Sequence, residues 1–151
     1  ESFSDYVLST VPSVKNRPEI FGDQLIMDAE DGIIGTQELL LTTASGISAD
    51  NVVKTVGEYG GFCYPAHIDR SSYSIISNLG MITPEMNFTA VEMTENADRD
   101  EYEAKHPIIK NMPVYVSSDA HYLENMREAS HTLEAEENSI KAILNAMKNS
   151  R

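Results

Sequence analysis

The sequence predicts an α/β fold, in which short apolar strands alternate with segments of helical length. Three strand-like runs carry this prediction: "FCYPAHI", "FTAVEMT" and "PVYVSSDAH". Segments long enough for a helix separate them, and strands connected in this way usually pair in parallel. The pattern is typical of an α/β barrel or an open parallel sheet, and both folds place their chemistry at the carboxyl ends of the strands.

The composition is that of one acidic domain. A chain of 151 residues suffices for a single core, and its 11 Lys and Arg against 24 Asp and Glu give a net charge of -13. Such a surface repels phosphate backbones and anionic lipid, so we expect no nucleic-acid partner and no membrane partner. The single cysteine, Cys63, cannot form an intrachain disulfide, which favours a reducing compartment and hence the cytoplasm.

The first third of the chain predicts a helix followed by a β-hairpin. Apolar residues recur at helical spacing over residues 2–11, and Pro12 then ends the helix. In "QLIMDAEDGIIG", two short apolar runs flank an Asp-Gly turn, which predicts a hairpin between Gln24 and Gly35.

Three further helices are predicted between and after the strands. The first begins near Ser48 and ends at Gly60, and its apolar face is Val52, Val53, Val56 and Tyr59. The second is a short helix within "DRDEYEAKHPIIKN". The third is terminal and its apolar face is Ile140, Ile143, Leu144 and Met147; "HTLEAE" before it reads as a short strand.

Polar side chains follow two of the predicted strands at their carboxyl ends. His67 follows the first strand, and Asp119 and His121 follow the third. Carboxylate and imidazole groups are ligands suited to Zn, Mn or Fe, and a divalent metal at this edge would activate water for attack on an ester. The alternative is structural: the histidines would be ordinary hydrogen-bonded core residues, and Asp119 would cap the turn after its strand.

Two other polar residues, Glu92 and Arg70, allow a functional or a structural interpretation, and the two remaining histidines are interpreted as structural. Glu92 either orients a ligand or substrate or is a solvated residue at the sheet edge. Arg70 either binds a substrate phosphate or, as so acidic a chain favours, forms an intramolecular salt bridge. His106 and His131 stand at no strand end and are interpreted as ordinary loop histidines.

The motifs "YPAHID" and "SSDAHYLENM" resemble the third and fourth signature motifs of the PHP family, the polymerase and histidinol phosphatase domains. The similarity, to the later part of a clostridial-type PHP protein, extends through "FGDQLIMDAEDGIIG" and "SIKAILNAMK". It implies a distorted seven-stranded (β/α) barrel with a hairpin insertion. It also implies two or three divalent metals, a small phosphorylated substrate and hydrolysis of its phosphoester. On this resemblance His67, Asp119 and His121 are metal ligands.

The sequence also departs from the family pattern. Complete members begin with His-x-His on the first strand and then supply an Asp-His pair, a Glu and another His, and none of these motifs is present here. Together with a first residue that is Glu1 and not Met, this suggests that residues 1–151 are the carboxyl-terminal portion of one PHP domain and inactive alone.

A partial barrel would leave sheet edges exposed, which suggests a homo-oligomer joined through those edges. The rival hypothesis is a non-catalytic, degenerate PHP-like module. In that case the hairpin would dock a protein partner, and the histidines would be retained for structural reasons.

Overall fold

The computed structural model describes residues 2–150, which form two compact units. The first unit extends to Ser48 and the second begins at Ala49. Both contain helices and one small sheet, so the chain has the mixed α/β character that the sequence predicts. Within residues 2–150 the sheets have two strands each and form no closed barrel, so the seven-stranded barrel stays a prediction.

The first unit contains the predicted helix and the predicted hairpin. Helix α1 spans Phe3–Thr10 and begins with a capping box, in which the Ser2 hydroxyl accepts from the Asp5 N–H and the Asp5 carboxylate accepts from the Ser2 N–H. A short helix α2 spans Pro18–Phe21. Strands β1 (Leu25–Met27) and β2 (Ile33–Thr36) then pair in antiparallel fashion, as predicted.

The hairpin turn is held by one aspartate. Oδ1 of Asp28 accepts from the N–H groups of Glu30 and Gly32 at 3.0 and 2.7 Å. A Cβ atom at position 32 would lie 2.7 Å from Oδ2 of Asp28, so only glycine fits there without displacing that side chain. Asp31, the other residue of the predicted Asp-Gly turn, has a φ of 63°.

The second unit contains four α-helices, a parallel pair of strands and three short 3₁₀ helices, Pro84–Met86, Pro107–Ile109 and Leu123–Asn125. Helix α3 spans Ala49–Glu58, α4 Ile75–Leu79, α5 Arg99–Lys105 and α6 Ile140–Asn149. Strand β3 (Val91–Met93) pairs with β4 (Val114–Val116) in parallel, and Val91 lies opposite Val114. The helices predicted at α3, α5 and α6 are confirmed, whereas residues 131–136 form no strand.

The segment from Phe62 to Ile68 lies beside β3 but is not a regular strand. The carbonyl of Pro65 accepts from the Glu92 N–H at 3.0 Å, and the Ile68 N–H donates to the Glu92 carbonyl at 2.9 Å. Its irregularity has two causes. Pro65 has no N–H to donate, and His67, with a φ of 31°, forms a bulge between the two bonds to Glu92.

The core of the second unit lies on one face of β3. Val91 and Met93 are buried there, while Glu92 between them faces the other side. The remaining buried members of this core are Ile68, Ile82, Met86, Phe88 and Ile109. Because Ile68 belongs to the core, the residues on either side of it are fixed relative to β3.

Helix α6 is fastened to the rest of the second unit by two long-range hydrogen bonds. The Tyr115 hydroxyl donates to the Met147 carbonyl at 3.2 Å, and Nζ of Lys148 donates to the Gly60 carbonyl at 2.9 Å. Among the helices of residues 2–150, none has the length and apolar character that crossing a membrane requires.

Candidate metal centre at the carboxyl ends of the strands

His67 occupies the bulge beside the end of β3. Its backbone N–H donates to Oε1 of Glu92 at 3.3 Å, which fixes the residue from the strand side. The side chain is only 13% exposed, and its Nδ1 atom is buried without a hydrogen-bond partner in the described chain. A buried, unpartnered imidazole nitrogen is uncommon, because leaving such a group unsatisfied costs about 1–3 kcal/mol.

Asp119 lies beyond the end of β4 and faces His67. Its Oδ2 atom is 3.9 Å from Nε2 of His67 and forms an ion pair with Nη1 of Arg70 at 2.7 Å. Asp119 has a φ of 46°, so both it and His67 adopt the left-handed backbone region that is unfavourable for most residues. Backbone strain of this kind concentrates at functional sites.

His121 is exposed and lies at the same edge. Its Nδ1 atom is 3.0 Å from the backbone carbonyl of Asp119. The ring also lines an open cleft of about 560 Å³, together with Arg70, Asp119, Glu124 and Arg127. The three residues predicted from the strand ends are thus neighbours, with Asp119 in the middle.

Arg70 and Glu92 also lie in this group. Arg70 forms an intramolecular ion pair, the structural alternative, and its partner is the predicted ligand Asp119. Glu92 is partly buried, and its carboxylate accepts a hydrogen bond from the backbone N–H of His67. His106 instead stacks on Tyr102 with ring centroids 5.9 Å apart, and His131 is exposed beside Ser130.

The arrangement fits two protein ligands for one ion better than three. Zn–N and Zn–O bonds are each about 2.0–2.2 Å long, so the 3.9 Å between Nε2 of His67 and Oδ2 of Asp119 allows both atoms to bind one metal. Across residues 2–150, no three His, Cys, Asp or Glu side chains come together as a complete metal-binding group.

The sequence interpretation missed a hydrogen-bonded network next to His67. Asp69 accepts from the Thr94 N–H at 2.8 Å and from the Thr94 hydroxyl at 2.5 Å. The Tyr102 hydroxyl donates to the Asp69 carbonyl at 2.9 Å. The only sequence signal was an aspartate between His67 and Arg70 in "HIDR", and its partners lie on other elements.

Aromatic rings cover the face of the strands that carries Glu92. Tyr64 lies between Phe62 and Tyr115, with ring centroids 5.8 and 4.9 Å away. Burial raises the pKa of the Tyr64 hydroxyl, and the negative charge of Glu92 raises it further. Tyr64 therefore stays neutral beside the candidate site across the physiological pH range.

Comparisons of the chain with protein-family models, with curated proteins and with solved structures gave no match. The resemblance to the PHP family therefore depends on the sequence motifs alone.

Proposed function

We propose that this chain provides part of the metal centre of a PHP-type phosphoesterase, with His67, Asp119 and His121 as metal ligands. The observation that carries the proposal is the approach of Nε2 of His67 to within 3.9 Å of Oδ2 of Asp119. His67 lies in the irregular segment beside β3 and Asp119 follows β4, yet their donor atoms come close to each other. An aspartate and two histidines match the ligand chemistry of Zn and Mn.

The surrounding residues have separate tasks in this proposal. Bound metal ions would supply an activated water for attack on the phosphoester. Glu92 holds the backbone of His67, and Nε2 is the ring nitrogen of that residue that faces Asp119. Arg70 and Arg127 line the adjacent cleft and would attract the phosphate of a small substrate.

Metal binding tests the ligand assignment directly. Calorimetric titration of the chain with Mn²⁺ or Zn²⁺ should show weak binding, because each ion has only one or two of these ligands. His67→Ala, Asp119→Ala and His121→Ala should each weaken it. His106→Ala and His131→Ala remove the other two histidines and serve as matched controls. Equal affinity in all five variants would refute the assignment.

Hydrolysis is the second test. We expect little or no turnover of a generic phosphoester by this chain with added Mn²⁺ or Zn²⁺, since water is acidified poorly at an incomplete metal cluster. Robust turnover that chelator abolishes, but that survives both His67→Ala and Asp119→Ala, would place the site on other residues.

The β1–β2 hairpin supports a second candidate function, protein interaction. Five apolar residues on its two strands are each between 45% and 66% exposed: Leu25, Ile26, Met27, Ile33 and Ile34. Apolar groups clustered this way are typical of contact surfaces, and the outer edges of a two-stranded sheet can pair with another strand. The partner that can be tested directly is a second copy of the chain, by light scattering over a range of concentrations.

A further inference from the structure

The segment from His67 to Arg70 is fastened to the end of β3 through Asp69. Both carboxylate oxygens of Asp69 accept hydrogen bonds from Thr94, which directly follows β3: one from its N–H at 2.8 Å and one from its hydroxyl at 2.5 Å. The Tyr102 hydroxyl, on α5, holds the Asp69 carbonyl at 2.9 Å. The segment is therefore tied to two different elements through one residue.

The residues on both sides of Asp69 reach the same oxygen atom. Oδ2 of Asp119 lies 3.9 Å from Nε2 of His67 and 2.7 Å from Nη1 of Arg70. His67 has a φ of 31°, a conformation that persists only where the surroundings enforce it. Two neighbouring residues hold His67 in this conformation: Ile68 is buried in the core, and Asp69 is hydrogen-bonded to Thr94 after β3.

We infer that Asp69 is a positioning residue, which holds His67 and Arg70 at the Asp119 carboxylate through its hydrogen bonds to Thr94. This inference rests on the proposed metal site for its effect on affinity, but its effect on the loop needs no metal. The role depends on hydrogen bonds and not on negative charge. An asparagine can accept from the Thr94 N–H through Oδ1 and donate to the Thr94 hydroxyl through Nδ2, whereas an alanine can do neither.

The first measurement is amide hydrogen exchange of the metal-free chain. The His67 and Ile68 N–H groups donate to Glu92, so they report whether the segment stays on β3. In Asp69→Ala they should exchange about tenfold faster or more, while Asp69→Asn should stay within about twofold of wild type. The Ile143 amide, which donates to Ser139 within α6, is the internal control. Equal acceleration at Ile143 would indicate general destabilisation and overturn the inference.

The second measurement is Mn²⁺ affinity of the same two variants. Asp69→Ala should bind Mn²⁺ at least about fivefold more weakly, because the loss of a fixed position for His67 outweighs the release of Arg70 from Asp119, and Asp69→Asn should retain wild-type affinity. If Asp69→Asn loses as much as Asp69→Ala, the charge matters and the positioning role is wrong. A lower melting temperature of Asp69→Ala with unchanged exchange at His67 and unchanged affinity would also overturn it.

The inference stays testable if Asp69→Ala does not fold or if the wild-type chain binds no Mn²⁺. If Asp69→Ala does not fold, Thr94→Val removes the hydroxyl and keeps the N–H bond; it should accelerate exchange at His67 by about twofold or more, and wild-type exchange there would overturn the inference. If wild type binds no Mn²⁺ while exchange follows the expected order, the positioning role stands and the proposed function fails.

Discussion

Replacing Arg70 by methionine should strengthen metal binding at the candidate site. The guanidinium of Arg70 occupies Oδ2 of Asp119, the oxygen that also faces His67. A metal ion must share or displace this arginine, and the arginine's positive charge repels the incoming cation. Methionine keeps much of the apolar stem and removes the positive charge, and with it the ion pair to Asp119.

The size of the effect follows from the exposure of the ion pair. The Arg70 side chain is 42% exposed and that of Asp119 is 28% exposed, so solvent screens the pair in spite of its 2.7 Å separation. Exposed pairs of this kind contribute about 0.2–1 kcal/mol. Losing that competition should tighten Mn²⁺ binding by up to about fivefold, since about 1.4 kcal/mol corresponds to a factor of ten.

Isothermal titration calorimetry with Mn²⁺ at low ionic strength measures the change. The matched control is Arg127→Met, because Arg127 lines the same cleft but pairs with Glu95. It should alter affinity less than Arg70→Met does. Unchanged or weaker binding in Arg70→Met would show that Arg70 does not compete with the metal for Asp119, and the assignment of Asp119 as a ligand would lose its support.

Three other outcomes are expected. Ile109 is fully buried in the core, so Ile109→Ala should lower the free energy of unfolding by about 2–5 kcal/mol in urea titrations. Ile140 is 80% exposed on α6, so Ile140→Ala should change the free energy of unfolding by less than about 0.5 kcal/mol. Equal losses in the two variants would refute the core assignment. Burial raises the pKa of Cys63 and of Tyr64, so both groups ionise more readily in the unfolded chain. Their contribution to stability is complete below about pH 9 and is lost as the pH rises through the folded-state pKa values, so the urea midpoint should fall above that pH, and less steeply in Cys63→Ala; a flat profile in wild type would contradict this. Finally, Ile34→Lys should reduce the concentration-dependent association that light scattering detects, because a lysine on an exposed strand opposes edge pairing; association that is absent from wild type would remove the homo-oligomer hypothesis.

The secondary structure was largely readable from the sequence because its signals are local. The spacing of apolar residues predicted α1, α3 and α6, and the Asp-Gly turn predicted the β1–β2 hairpin. Side-chain periodicity and turn chemistry act over a few residues, so they predict local structure without knowledge of the rest of the fold. The sequence also predicted that His67, Asp119 and His121 lie near one another, and they do, although the strand predicted before His67 is an irregular segment in the structure.

The tertiary structure decided which side chains form ion pairs and hydrogen bonds with each other. The carboxylate of Asp119 pairs with Arg70, Asp69 binds Thr94, and Glu92 holds the backbone of His67. Each of these contacts joins segments that are distant along the chain, and each depends on the alignment of strands. The segment before His67 also became a bulged, irregular neighbour of β3, because Pro65 lacks an N–H and His67 takes a positive φ. Residue types and their order determine which groups are available, but packing and strand alignment determine which of them meet.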